Sequence, residues 1–129
     1  DGGPEPPVGI SVPQAMYDDF VKISEPIQKI RPDYPFEVKV REPRKRPTRM
    51  GGTDASVFAI EGVPTLGFTT EDFKGYDFDY GEIWHTERDL YTKNIPEYQE
   101  HTATVTAIIA LGVANLDKQL SREGLYTEE

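Results

Sequence analysis

The sequence contains no cysteine. That excludes a disulfide frame and any thiolate metal site, and it leaves the redox compartment unread. No apolar run approaches the ~20 residues that a bilayer-spanning helix needs, and no signal peptide opens the chain. A membrane is therefore not expected as a partner. Basic residues are in short supply, with 14 Lys and Arg against 23 Asp and Glu, giving a formal net charge of −9. Nucleic-acid binding needs a positive surface, so that class is excluded too. Histidine occurs only twice, and the chain lacks HExxH, a Gly-x-Ser-x-Gly elbow and a phosphate loop.

What remains is a chain of 129 residues, 36% apolar, enough for one domain with a modest core. Eleven Gly and eleven Pro make loops plentiful. The chain begins at Asp1 rather than Met and reads as a processed chain or an excised piece. "DGGPEPPVGI" is a loop that reaches a short strand at Val8 to Ser11. Pro13 suits a helix start, and Met16, Phe20, Ile23, Ile27 and Ile30 form one amphipathic stripe. Pro26 lies inside that stripe and is expected to kink or split the helix near Glu25. "FEVKV", residues 36 to 40, alternates as a strand with one covered face.

"REPRKRPTR", residues 41 to 49, is the one basic stretch, an extended loop holding two Pro. It reads either as a solvated loop on an acidic protein or as a patch that attracts an anionic substrate group or partner. "TDASVFAIEG" reads as a short helix capped by Thr53 or Asp54 and ended by Gly62, and Val63 to Phe68 as a buried interior strand. A helix followed by a strand is the repeating step of an α/β sandwich. Residues 69 to 83 form an acidic, aromatic loop. A long helix is expected from Pro96 to about Leu120, with a large apolar stripe through Tyr98, Val105 and Ile109. A second stripe of Ala103, Ala107, Ala110 and Ala114 suggests a helix packed deeply against a sheet. Residues 121 to 129 are a polar tail expected to fray, with Glu128 and Glu129 inert.

His101 falls beside the apolar stripe of the last helix and reads as a half-buried structural histidine. His85 sits in "WHTERDL", with Asp89 four residues on. It reads either as a hydrogen-bonded loop histidine or as a metal ligand oriented by a neighbouring carboxylate.

"GGTDASVFAIEGVPTLGF" followed by "WHTERDLYTKNIPEYQEHTATVTAIIALGVANL" resembles the C-terminal part of the co-catalytic di-zinc exopeptidases of metallopeptidase family 28, the bacterial aminopeptidases and carboxypeptidase Q relatives. The likeness spans about seventy residues and rests on order and spacing. Its elements are a Ser/Thr-Asp turn, a short helix ending at Gly-[Ile/Val]-Pro and a strand, then a loop, His-[Ser/Thr]-x-x-Asp, a Pro-containing cap and a long helix. The resemblance implies the C-terminal portion, residues 1 to 120, of a three-layer αβα zinc-exopeptidase (phosphorylase/hydrolase-like) fold. It implies that His85 is a zinc ligand, with Asp89 a structural or supporting residue beside it. The opening segment, with Asp1, Gly3, Pro7, Gly9 and Ile10, resembles the carboxypeptidase Q branch and implies Asp1 as a second metal ligand. Asp54 is expected to cap its helix or support the site from nearby, at the C-terminal edge of the sheet.

Two positions depart from the family. Leu90 replaces a usual Thr or Ser, and Trp84 stands where a Tyr is often found. An indole N–H can donate a hydrogen bond, but not in the manner of a tyrosine hydroxyl. The family also needs an upstream His, a bridging Asp and a Glu-Glu pair, one Glu of which is the general base; none is in this chain. The resemblance therefore implies a two-zinc hydrolase of peptide bonds near a chain terminus, completed by an N-terminal half, secreted or periplasmic, with this chain alone inactive and holding zinc weakly or not at all. The alternative is a binding or structural module on the same fold without its upstream ligands. An excised piece is further expected to associate with itself through an exposed sheet edge.

Overall fold

The computed structural model describes residues 3–77 and 79–127. Strand β1 (Pro7–Val12) is the centre of a three-stranded sheet of order β2-β1-β3. Its Ile10 and Val12 are buried, which matches the alternation of a strand with one face on the core. Strand β2 (Glu37–Val40) runs parallel to β1, with Gly9 opposite Glu37 and Val12 opposite Val40. A Cβ on Gly9 would lie 2.5 Å from the Glu37 carbonyl oxygen, so only glycine permits this approach of the two backbones. Strand β3 (Phe68–Thr70) pairs antiparallel with β1, across an irregularity between Pro7 and Gly9.

Between β1 and β2 the chain makes a 3₁₀ turn (Gln14–Met16) and helix α1 (Tyr17–Ile30). Asp18 and Asp19 favour its positive end and Lys29 its negative end. The stripe of Met16, Phe20 and Ile27 is fully buried. The helix is not split at Pro26 but runs through it to Ile30. Pro26 and Lys22, whose carbonyl loses its helical partner, are both exposed, so the group that proline leaves free is not confined to a dry interior.

Helix α2 (Ala55–Ile60) begins at Asp54, whose side chain makes no capping bond, and stops before Gly62 at φ +70°. Residues 63 to 67 do not join the sheet, which corrects the interior strand expected over Val63 to Phe68. Pro64 has no N–H for a ladder, and the pairing that begins at Phe68 makes β3 an edge strand. Helix α3 (Tyr80–Ile83) interrupts the acidic loop. A 3₁₀ turn (Tyr91–Lys93) then leads into helix α4 (Pro96–Ala114).

Pro96 takes the first position of α4 as expected, but the helix ends at Ala114 rather than continuing to Leu120. Asn115 stops it: its N–H and its side-chain amide both reach the Leu111 carbonyl, at 3.1 and 2.8 Å. One side of α4 packs on α1 and β1. The crossing with α1 is close at Gly112, where any Cβ would overlap Ile23. The alanine stripe does not pack: Ala103, Ala107, Ala110 and Ala114 are exposed. The polar tail is not frayed over its described part. Leu125 is 1% exposed and joins the core of Ile10, Val12, Phe20, Val105 and Ile109. Tyr126 bridges to Arg44 and donates to the Ala59 carbonyl at 3.2 Å. Eleven residues beyond the end of α4 at Ala114, the chain thus returns at Leu125 to seal the core.

Candidate functional site

The segment that carries His85 is built from local hydrogen bonds. Asp79 caps α3 by accepting from the Gly81 N–H at 2.8 Å. Ile83 anchors the helix in the interior, and the Trp84 N–H closes its last turn on the Tyr80 carbonyl. The Thr86 N–H and hydroxyl both return to the Ile83 carbonyl, at 3.0 Å each. The chain therefore reverses sharply, and His85 is held at φ +55°. A non-glycine residue in this region is uncommon and costs energy, although histidine tolerates it better than most.

His85 opens onto a cleft of about 720 Å³ whose walls include Trp84, Asp89 and Tyr80 and, from the start of the chain, Gly3 and Pro4. Gly3, at φ +69°, lies directly against the Tyr80 ring and has no room for a side chain. The Trp84 and His85 rings are 4.5 Å apart, and both residues are exposed. Neither ring nitrogen of His85 is hydrogen-bonded to a described residue, and no hydrogen bond joins it to Asp89.

His85, Trp84 and Asp89 thus share one cleft with the chain's opening segment. Asp1 lies outside the described residues. Asp54 starts α2, is exposed and is not among the residues lining this cleft. The cleft lies beyond the N-terminal end of β1, which Gly3 and Pro4 precede, rather than at the C-terminal edge expected from the α/β rule. Among the described residues no three His, Asp or Glu groups converge as a metal set. His85 offers a free imidazole, which suits zinc, but the described residues fit only part of a tetrahedral shell.

A second polar cluster abuts the same end of the molecule, and sequence reasoning missed it. Glu97, in the first turn of α4, accepts from the Tyr34 hydroxyl at 2.7 Å, from the Tyr76 hydroxyl at 2.8 Å and from the Lys74 ammonium. These donors, Lys74 foremost, hold its carboxyl down at about 2. Beside it the buried Tyr98 hydroxyl donates to Asp72 at 2.6 Å and accepts from the Lys74 N–H at 3.0 Å. Burial, then Asp72, pushes Tyr98 up to about 12. His101 is fully buried, stacked on Tyr34 at 3.9 Å, with Nε2 3.2 Å from the Pro7 carbonyl. A carbonyl only accepts, so Nε2 carries the proton and Nδ1 is left buried with no partner. Burial pushes His101 below its usual value. Contacting residues of this cluster lie up to 94 positions apart, and only the aromatic, acidic composition of the 69–83 loop hinted at it.

The cluster ties the start of β1 and the loop after β3 to α4. Comparison with known protein families, with curated proteins and with solved structures found no match. No helix among the described residues is long and apolar enough to cross a membrane.

Proposed function

We propose that this chain supplies one side of a two-zinc exopeptidase centre on an αβα fold, acting on peptide bonds near a chain terminus, with the rest of the centre supplied by an N-terminal half. The observation that carries the reading is the cleft itself. It brings His85, in a strained left-handed conformation with an unengaged imidazole, against the opening segment that leads from Asp1. In this reading His85 and Asp1 are both metal ligands. Zinc supplies a polarised carbonyl and a water of lowered pKa. Asp89 sits on the rim as the nearby carboxylate, and the Trp84 indole offers an apolar wall with one N–H donor toward a bound peptide. Asp54 does not line the cleft and has no part in this reading.

The test is zinc content and peptide hydrolysis of the complete protein beside His85→Ala. His85 is exposed and bonded to no described residue, so the substitution leaves the fold and its helical signal intact. The expected result is loss of hydrolysis and of bound zinc together. Full activity in the variant ends the assignment. A complete protein that binds a peptide without zinc and without turnover favours the non-catalytic module instead.

A further inference from the structure

The basic loop of residues 41 to 49 plays no part in the His85 cleft, and its side chains are disposed in an unusual way. The protein has 23 carboxylate residues, yet Arg41, Arg44, Lys45, Arg46 and Arg49 make no ion pair with any described residue. Arg41, Arg44 and Arg46 are bonded instead to neutral acceptors. Arg41 donates to the Leu125 carbonyl at 3.4 Å. Arg44 donates to the Thr65 carbonyl at 3.4 Å and to its hydroxyl at 3.2 Å. Arg46 donates through Nε to the carbonyl of Ile60, the last residue of α2, at 2.8 Å. Carbonyl bonds fix where a guanidinium sits without neutralising it. The Arg46 Nη1 group donates to no described residue.

The returning C-terminal segment completes the arrangement. The Arg44 carbonyl accepts from the Thr127 N–H at 3.1 Å, and Tyr126 is braced on α2. Between the loop and this segment lies a cleft of about 570 Å³, walled by Arg46, Thr48, Tyr126 and Thr127, with Ile60 and Pro47 as its apolar sides. Arg41 does not line this cleft, and its Nη2 is out of water and without an acceptor among the described residues. Burial and the neighbouring Arg44 charge both act against its protonated form. A loop of merely solvated cations on so acidic a chain would find carboxylates. Here five positive groups follow one another within nine residues, and none has a carboxylate partner among the described residues.

We propose that this cleft binds a phosphate group, held by the Arg46 guanidinium with Thr48 and Thr127 as hydroxyl donors, while the charge of Arg44, two residues away and outside the wall, adds to the attraction. A guanidinium matches a phosphate in geometry, and the phosphate's negative charge offsets a cation that carbonyl bonds leave unneutralised. The same site accepts free phosphate or a phosphate carried on an organic group, for which the Tyr126 ring and Ile60 provide an apolar wall. The proposal does not depend on the peptidase reading.

The test is titration of the ¹⁵N-labelled protein with inorganic phosphate at fixed ionic strength, with acetate and chloride as controls. Phosphate is expected to saturate, moving amides of residues 44–48 and 126–127 and leaving those around His85 still. Arg46→Gln is expected to raise the dissociation constant about tenfold or more, the loss of one charge-assisted fork. Lys29→Gln removes the same charge elsewhere and is expected to change nothing. Arg44→Gln, exposed like Arg46, serves where Arg46→Gln disturbs α2. Phenyl phosphate forms the second arm: tighter binding identifies a phosphate carried on an organic group, and equal binding identifies free phosphate. Shifts that never saturate, that acetate reproduces, or that survive both arginine variants overturn the proposal.

Discussion

At the scale of single residues, two ionisable groups near the His85 cleft give the molecule its acid response. His101 is neutral in the folded chain because burial disfavours its charged form and Nδ1 has no acceptor for a second proton. Its folded pKa lies below the unfolded value of 6.5. Below that value the unfolded chain binds the extra proton and the folded chain does not, so stability falls as pH falls. The urea midpoint is therefore expected to drop between pH 7.5 and 5.5, with a slope of at most ~1.4 kcal/mol per pH unit from one proton. His101→Gln keeps a donor for the Pro7 carbonyl but cannot titrate, so its midpoint is expected to be lower at pH 7.5 and flatter toward acid. An unchanged slope would remove His101 from this role. Glu97 acts in a lower window: its contribution is complete above its usual 4.5 and fades as pH falls toward about 2. Its partners report it from the other side, because Glu97 raises the pKa of both Tyr76 and Tyr34. Ultraviolet titration of Glu97→Gln should show two tyrosines ionising at lower pH than in the parent. Sequence reasoning took His101 as structural and half-buried, and its complete burial follows from Tyr34, 67 positions upstream on no shared element. Glu97 was legible only as a charge favouring the start of a helix, since the partners that define it come from distant loops.

At the scale of elements, the legible parts are those whose signals are local. The stripe of α1, the alternation of β2, and the Pro96 start of α4 all arise from residues within one or two turns of each other. The misread parts each depend on a distant contact or a single stop signal. Asn115 ends α4 because its amide takes the Leu111 carbonyl, although apolar residues recur as far as Leu120. The tail holds because Leu125 finds the core through the turn at Gly124, at φ +69°. The close approaches are equally invisible in a linear pattern, and they carry the largest mutational effects. Gly9→Ala would drive a methyl into the Glu37 backbone carbonyl, which cannot swing aside. It is expected to cost about 3 kcal/mol by urea denaturation, at the upper end for overpacking. Gly112→Ala meets the Ile23 side chain instead, and gains about 1 kcal/mol of helix propensity against the clash. Its net loss should be smaller than that of Gly9→Ala, and Ile23→Ala should rescue it in part. Equal losses at the two glycines, or no rescue, would mean that α1 and α4 are not in van der Waals register at this crossing.

At the scale of the whole molecule, a sheet of three strands has two outer edges, and nothing among the described residues pairs with either. On β2 the Arg41 N–H bonds to the Val12 carbonyl, and directions alternate along a strand. The N–H and carbonyl of Val38 and Val40 therefore point outward, and Val40 is 45% exposed beside them. Glu37 and Lys39 lie two residues apart on the opposite face, paired to each other at 3.2 Å. An antiparallel copy centred on Val38 would set each Glu37 against the other chain's Lys39, and each Val40 against Phe36. The pattern is self-complementary where an edge built only for avoidance would repel. So short a ladder buries far less than the ~1,200 Å² of a stable interface, so the pairing is expected to be weak and concentration-dependent. Sedimentation velocity across a concentration series should show a rising dimer fraction. Glu37→Lys should abolish it by facing two lysines, and adding Lys39→Glu should restore it with the charges exchanged. A chain that stays monomeric at the highest attainable concentration, or a dimer indifferent to both changes, would show that the β2 edge is closed to a second copy.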